Sequence, residues 1–278
     1  MKQLILILIF SFSTSSMASV ILDQGLGLDG MQVGGAYTAN PASNSSIYWN
    51  PANLVNLRSS QLYLSYSSYI EDLSTITGMF NMNLSKNLAF GIAYLGLQVN
   101  ALDYRGNVGQ SLGAPFNYRN DAYVLGLGYQ LIPGLSIGSS YKVFTQKALA
   151  EKNYQSIDIA CKILLFTGTH IGLVGENIVV VNGTNELYPK YRLGLEQEFF
   201  GIKASMDLIY DWLSEHTYTN YGFVFTGLPF VSLKGGMNGY FEKYFLGISL
   251  KMDLLSIDYM FSDPELGAVH RFGLGITL

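Results

Sequence analysis

Hydrophobic and polar residues alternate along most of the chain. In the segment 202–212 one side is apolar throughout and the other is mostly polar. The apolar side consists of Ile202, Ala204, Met206, Leu208, Tyr210 and Trp212. A period of two is the repeat of a β-strand, because its successive side chains point to opposite faces. The pattern therefore predicts a sheet with one apolar face and one polar face.

About fourteen segments of this kind follow one another, separated by turn residues such as Pro133-Gly134 and Asn182-Gly183. Their approximate ranges are 61–68, 75–83, 88–97, 121–131, 135–144, 155–165, 168–176, 190–199, 202–212, 218–226, 230–237, 243–252, 255–262 and 269–278. Each is close to the roughly ten residues with which a tilted strand crosses a membrane. These lengths leave only short loops between the strands.

The composition indicates what the apolar face contacts. Hydrophobic residues make up 49% of the chain and aromatic residues 14%, but only 13% are charged. This charge is too little to cover a surface that faces water on all sides. Beyond the first residues, no apolar run is long enough for a spanning helix. We therefore expect an all-β fold: a closed antiparallel transmembrane β-barrel. A periplasmic β-sandwich is the alternative.

The N-terminus has the layout of a secretory signal peptide. Lys2 precedes an apolar run that ends at Phe12, and Ser16-Met17-Ala18 supplies small residues for cleavage before Ser19. Residues 1–18 are accordingly interpreted as a cleaved signal peptide and the product as a cell outer-membrane protein. The only cysteine is Cys161, which excludes a disulfide within the chain.

The polar face of the strands carries as many bases as acids. The inward bases are Lys142, Lys162, Arg192, Lys203, Lys251 and Arg271, and the inward acids are Asp158, Glu196, Glu198, Asp207, Asp211 and Asp258. Charges in a confined interior are costly unless they are paired. The balance therefore predicts a lumen charge network that closes the interior, and not a wide pore of one sign.

Motifs for other functions are missing from the sequence. His170, His216 and His270 do not have the spacing of metal ligands, and no nucleophile motif or phosphate-binding loop is present. The net charge is −4 without a basic stripe, which argues against a nucleic-acid partner. The sequence thus predicts no catalytic site, no metal, no cofactor and no enzyme activity.

Two motifs near the N-terminus support a family resemblance. Gly34-Gly35-Ala36-Tyr37 is followed by Ile47-Tyr48-Trp49-Asn50-Pro51-Ala52-Asn53-Leu54, and the C-terminus has Ile257-Asp258-Tyr259 before His270-Arg271-Phe272-Gly273-Leu274. In this order the motifs resemble the FadL-type outer-membrane proteins, and more closely their PorV/PorQ-like relatives. The resemblance extends over the whole chain that follows the signal peptide.

The resemblance implies a fourteen-stranded barrel, 58–278, with residues 19–57 folded into the lumen as a hatch. Its hatch motif corresponds to Gly34, Gly35, Tyr48, Trp49, Asn50, Pro51 and Ala52. Glycines permit the irregular backbone of such a segment, and Pro51 restricts Asn50 to an extended or turn conformation. The alternative for Asn50-Pro51-Ala52 is an ordinary turn into the first strand.

Three functions are compatible with this fold. The first is a FadL-like channel for passive transport or binding of a hydrophobic small molecule. The second is a PorV/PorQ-like accessory protein that docks to secretion-machinery proteins. The third is a structural barrel without transport. In each case outer-membrane lipid surrounds the protein, and fold resemblance alone does not choose between them.

Overall fold

A computed structural model describes residues 25–40, 43–69, 73–102, 116–148, 150–166, 168–182, 187–262 and 269–278. The predicted signal peptide and residues 19–24 of the predicted hatch lie outside these ranges. The described chain begins with two short α-helices, α1 (Leu28–Met31) and α2 (Ser46–Trp49), and a 3-10 helix, Pro51–Asn56. None of the described helices has the length and apolar character that crossing a membrane requires.

Fourteen β-strands follow and close into one antiparallel barrel. They are β1 (Gln61–Ser68), β2 (Leu73–Asn83), β3 (Leu88–Leu102), β4 (Phe116–Ile132), β5 (Leu135–Lys147), β6 (Glu151–Phe166), β7 (Thr169–Asn182), β8 (Lys190–Phe199), β9 (Ile202–Asp211), β10 (His216–Leu228), β11 (Val231–Asn238), β12 (Lys243–Met252), β13 (Leu255–Ser262) and β14 (Val269–Thr277). Each strand pairs with its neighbours in sequence, and β1 pairs with β14 from Gln61↔Thr277 to Ser68↔His270. The predicted fold and strand number are confirmed.

Strands β3 to β7 are longer than the sequence pattern predicted. They contain 13 to 17 residues, whereas β8, β9 and β11 to β14 contain 8 to 10. The additional residues lie at the barrel end that carries the longer connections, and they include polar stretches such as Asn117 to Asp121. Alternation of apolar and polar residues is lost there, so this pattern could not mark where the strands end.

The outer wall is apolar over its whole circumference. Side chains such as Leu64, Leu125, Leu193 and Phe223 are exposed on it, while the residues between them are buried. A wall of this kind satisfies its backbone groups in the strand ladder and presents hydrocarbon outward, which is the arrangement of a membrane-spanning barrel. The structure thus excludes the β-sandwich alternative.

Residues 25–40 and 43–57, here called the inner segment, lie inside the barrel. Its backbone approaches inward-facing glycines on opposite sides of the wall, with Pro51 against Gly128 of β4 and Val33 against Gly236 of β11. The 3-10 helix lies against β4 and β5. Almost every apolar side chain of the inner segment is buried. Contacts on opposite sides of a closed wall show that this segment occupies the lumen.

The close contact at Gly172 predicts a mutational effect. A Cβ at this position would collide with the backbone of Thr38, so Gly172→Ala must displace the inner segment and should destabilise the protein by about 1–3 kcal/mol. The midpoint of the heat-induced change in gel mobility of the folded barrel measures the loss. Gly78→Ala is the control, because its Cβ would meet only Leu64 at 3.5 Å. Equal midpoints for both variants would contradict a tightly packed inner segment.

Candidate functional site

Aromatic side chains of the inner segment contact cations of the wall. Trp49 and Tyr48 pack edge to face with ring centroids 5.0 Å apart. The guanidinium of Arg192 lies 5.4 Å from the centre of the Trp49 ring, and the Lys142 ammonium lies 5.4 Å from that of Tyr48. Each cation therefore has an aromatic face on the lumen side, which stabilises a charge that is removed from water.

The Asn-Pro-Ala motif connects the inner segment to itself and to the wall. The Asn50 side-chain oxygen accepts from the Ala52 amide at 3.0 Å and so caps the 3-10 helix, in which Pro51 is the first residue. The Asn50 amide donates to the Thr38 carbonyl at 2.8 Å and to the Cys161 carbonyl of β6 at 3.2 Å. Asn50 thereby joins the 3-10 helix, Thr38 of the inner segment and β6 of the wall. A residue without both a donor and an acceptor cannot replace it.

The two glycines of the predicted hatch motif allow the inner segment to turn along the wall. Gly34 and Gly35 have φ values of 67° and 80°, a conformation that side chains with a Cβ rarely adopt. Gly34 lies against the backbone of Met237 on β11, and its carbonyl accepts from the Asn238 side chain at 3.3 Å. A larger residue at Gly34 would combine backbone strain with a collision.

Asp207 of β9 binds the inner segment directly. Its carboxylate accepts from the backbone amides of Tyr37 and Thr38 at 3.0 Å each, and from the Thr38 hydroxyl at 2.6 Å. Burial raises the pKa of the neighbouring Tyr37 phenol well above its ordinary value, so the hydroxyl keeps its proton and donates to Asp29 at 3.2 Å. The wall thus holds residues 37–38 through the buried Asp207 carboxylate, and not through backbone hydrogen bonds to a strand.

Ion pairs occupy much of the remaining polar interior. Lys142 pairs with Asp158 where both side chains are fully buried, and Arg192 of β8 pairs with Glu176 of β7. Two further interior pairs are Lys190–Asp211 at 3.4 Å and Lys234–Asp258 at 3.9 Å, while Lys203–Glu198 at 3.5 Å lies where the Glu198 side chain is exposed. Glu176, Lys190 and Lys234 were absent from the predicted lumen charge network.

The other members of the predicted network have different surroundings. Lys162 is buried and donates to the Asn40 carbonyl at 3.4 Å, and Glu196 is buried near it on β8. Lys251 is exposed at the end of β12 and forms no ion pair in the described part of the chain. Arg271 is buried against Met31. The equal numbers of bases and acids therefore do not produce six base–acid pairs, because the inner segment supplies several of the partners.

The described wall is irregular between β6 and β7. Ile157 pairs with Val179 and Ile159 pairs with Gly175, so that three residues of β7 face one residue of β6. Asn177 within this bulge has a φ of 53°. Its amide donates to Asp158 at 2.8 Å, and its side chain accepts from Ser156 at 2.8 Å. Side chains therefore close the wall where the strand ladder is interrupted.

An apolar concavity lies on the outer wall beside this bulge. Its volume is about 1070 Å³, and most of its lining consists of outward-facing apolar side chains of β4 to β9. Ile157, Ile159 and Gly175, which flank the bulge, form part of the lining, as do Cys161 and Arg192. The concavity and the interrupted ladder thus coincide on one side of the barrel.

The residues that the structure describes hold no candidate metal centre. They contain no group of three or more histidine, cysteine, aspartate or glutamate side chains that could hold a metal ion. Cys161, the single thiol, is half-buried on the apolar outer side of β6.

Solved structures that are similar to this chain in fold include channels. The toluene transporter TodX of Pseudomonas putida matches with a TM-score of 0.66 and 11% identity over 89% of this chain and 96% of its own. The CymD monoaromatic hydrocarbon channel matches with 0.66 and 10% over 91% and 98%. A Pseudomonas aeruginosa FadL homologue matches with 0.63 and 10% over 90% and 97%. No protein-family model and no curated protein matches the chain. The chain therefore has the fold of the FadL-type channels.

The buried Lys142–Asp158 pair gives the second testable prediction. Lys142→Met leaves the Asp158 carboxylate buried without its cation and should lower the free energy of unfolding by about 3–5 kcal/mol. Adding Asp158→Asn removes the charge but keeps an oxygen for the Asn177 amide, so the double variant should recover much of the loss. Urea unfolding in detergent measures both variants. A double variant no more stable than Lys142→Met would contradict this account.

Proposed function

We propose that the protein is an outer-membrane channel for the passive transport of hydrophobic small molecules. One observation carries the proposal. The barrel is closed and the inner segment occupies its lumen, and the interrupted strand ladder between β6 and β7 lies next to the apolar concavity of the outer wall. A hydrophobic solute gains free energy wherever it stays out of water. The solved structures with this fold, which include a toluene transporter and a monoaromatic hydrocarbon channel, support the same function.

In this proposal the inner segment is the hatch. Three contacts hold it closed: the Asp207 carboxylate on residues 37–38, the Asn50 hydrogen bonds and the close packing against wall glycines. The solute enters from the end with the longer connections and displaces part of the hatch. It leaves through the wall at the β6–β7 bulge, where side-chain hydrogen bonds replace ladder bonds and the apolar concavity receives it.

The proposed partners and location follow from the wall and the N-terminus. Outer-membrane lipid covers the apolar circumference, and the signal peptide of residues 1–18 directs export. The protein acts without a cofactor and without catalysis, because passive transport requires only a route of lower free energy.

Uptake by cells tests the channel. We expect cells that lack other channels of this class to take up radiolabelled toluene several-fold faster when they produce this protein in the outer membrane. A Cys161→Ser background with Leu54→Cys and Gly128→Cys allows the hatch to be fixed to β4, because the Gly128 Cβ position lies 3.2 Å from the Leu54 Cβ. Oxidation should then abolish the additional uptake, and a reductant should restore it. The Gly128 Cβ position also lies 2.6 Å from the Pro51 carbonyl oxygen, so the Gly128→Cys variant alone shows what displacement of the hatch does without the disulfide.

The controls separate the channel from its hatch. Each single cysteine variant should transport equally well when oxidised and when reduced, because it cannot form the disulfide. Uptake equal to that of cells without the protein would reject the channel. Transport that persists after the hatch is fixed would reject hatch movement but retain the channel.

Docking to secretion machinery is the second candidate function, in line with the PorV/PorQ-like resemblance. It is favoured by the long strands β3 to β7, which exceed the roughly ten residues needed to span a membrane. The ends of these strands present exposed charged residues, including Arg119, Lys147 and Glu151. These ends provide surface for a protein partner even where connections are short.

Crosslinking in whole cells tests this second function. A photoreactive amino acid in place of Lys147 should crosslink to a secretion-machinery protein, whereas the same substitution at Lys86, in the β2–β3 turn at the opposite end, should not. Recovery of barrel-assembly factors alone from both positions would contradict docking.

A further inference from the structure

The two ends of the barrel carry different residues at the same backbone conformation. Four connecting residues of the described chain, other than glycines, have a positive φ. Phe200 (47°) and Phe230 (63°) lie in the β8–β9 and β10–β11 turns, whereas Glu215 (55°) and Glu242 (52°) lie in connections at the opposite end. This conformation suits glycine and asparagine and disfavours a bulky side chain. Turn geometry therefore does not account for phenylalanine at these two positions.

The end with Phe200 and Phe230 is here called the turn end. It consists of the β2–β3, β4–β5, β6–β7, β8–β9, β10–β11 and β12–β13 turns. Each of the last five turns exposes a large apolar side chain, represented by Ile132, Phe166, Phe200, Phe230 and Leu254. Single exposed apolar residues are normal on a protein surface, but a row of them over adjacent turns indicates contact with an apolar medium.

The turn end is apolar on both sides of its strands. Leu131 and Ile132 are consecutive and both are exposed, and the same holds for Phe199 and Phe200. Consecutive residues at the end of a strand point to opposite sides. Lipid against the outer wall therefore accounts for only one member of each pair. The other member indicates that the tips of the turns are themselves surrounded by an apolar medium.

The lengths of the strands agree with turns that lie in lipid. Strands β11 and β13 contain 8 residues each and end at the polar residues Asn238 and Ser262 on the side opposite the turn end. Eight residues of about 3.3 Å, tilted by about 40°, rise only about 20 Å along the barrel axis, whereas the apolar band of an outer-membrane barrel is about 25 Å tall. The missing height is available at the turn end, which faces the periplasm in barrels of this kind.

We propose that the turn end is a phospholipid-binding surface, with the turns from β4–β5 to β12–β13 immersed in the inner leaflet of the outer membrane. Phe200 and Phe230 lie among acyl chains, and the gain from keeping their rings out of water offsets the cost of their backbone conformation. The polar Ser85-Lys86-Asn87 turn stays in contact with water. Lipid is the partner that fits, because it is continuous with the lipid around the outer wall. A lipid-binding surface at this end goes beyond the proposed transport.

Thiol accessibility tests the immersion of the turns. Phe200→Cys and Phe230→Cys are made separately in full-length protein that carries Cys161→Ser, and each variant is reconstituted into phospholipid nanodiscs. A charged maleimide that does not enter lipid should label either thiol about ten-fold or more slowly than that of Lys86→Cys, the control in the polar turn at the same end. Leu193→Cys on the outer wall gives the rate for a thiol in lipid.

Tryptophan quenching tests whether phospholipid is the medium. Phe200→Trp is made in a Trp212→Phe background, because Trp212 is exposed and would respond to the same quenchers. Phospholipids with brominated acyl chains should quench the additional fluorescence, and iodide in the buffer should not. The aromatic ring is retained in this variant, so it also reports on the turn if a cysteine variant does not fold. Gel mobility before and after heating shows whether each variant is folded.

The sign of one stability change gives an independent measure. Phe200 is followed by Gly201, whose φ is also positive, and a turn of this kind is best satisfied by Asn-Gly. In water, Phe200→Asn would therefore raise the urea midpoint. We expect the midpoint in phospholipid vesicles to fall instead, because the substitution moves an amide into lipid and removes an apolar contact. Glu215→Asn, at the same conformation on the opposite end, should not lower it.

Each outcome decides for or against the lipid surface. Labelling of both thiols at the rate of Lys86→Cys overturns it and leaves the turn end free for a protein partner. Slow labelling without quenching by brominated lipid also overturns it, because the cover is then a part of this chain or a second copy. A raised midpoint for Phe200→Asn contradicts an apolar medium at the tip. None of these results changes the channel proposal, which the uptake assay decides.

Discussion

Every backbone amide and carbonyl that faces lipid must find its partner inside the protein, and this constraint governs the whole structure. The fourteen strands meet it by closing β1 onto β14. Closure creates an interior, and the inner segment fills that interior with its own irregular backbone. That backbone needs partners as well, which is why Asp207, Asn50 and Asn238 bind its amides and carbonyls. The polar face of the wall is thus complementary to a particular peptide, in addition to being neutral overall.

The sequence predicted the strands of the wall well because contact with lipid requires an apolar residue at every outward position. Outward positions such as Leu193 and Leu208 must be apolar, and residues between them must not be, so strand number and many strand limits could be obtained from alternation alone. Alternation no longer marks the strands where their outer side does not contact lipid. Strands β3 to β7 continue into polar residues whose outward and inward positions have similar side chains, and Glu176 and Asn177 both face inward within the bulge. Alternation cannot represent two consecutive inward residues.

The candidate site was less accessible to prediction. The alternation of inward and outward positions identified Asp158, Arg192 and Asp207 as inward residues, but it could not identify the groups that they contact. Lys234 precedes two glycines, so neither face of β11 has a continuous apolar row to reveal its orientation. Lys190 is the first residue of β8. The partners of Asp207 and Arg271 lie on the inner segment, whose course depends on glycine turns and close approaches that have no periodicity. A count of charges thus predicts neutrality but not the identity of each contact.

The position of the inner segment also restricts the order in which the chain assembles. Its backbone meets inward glycines with no room for even a methyl group at Gly128 and Gly236, on opposite sides of the ring. A finished cylinder of this bore would obstruct a folded peptide sliding in from one end. The simplest route is that the sheet curls around the peptide, and that β14 joins β1 as the last event. The inner segment would then be enclosed before the pairing of β1 with β14 completes the barrel.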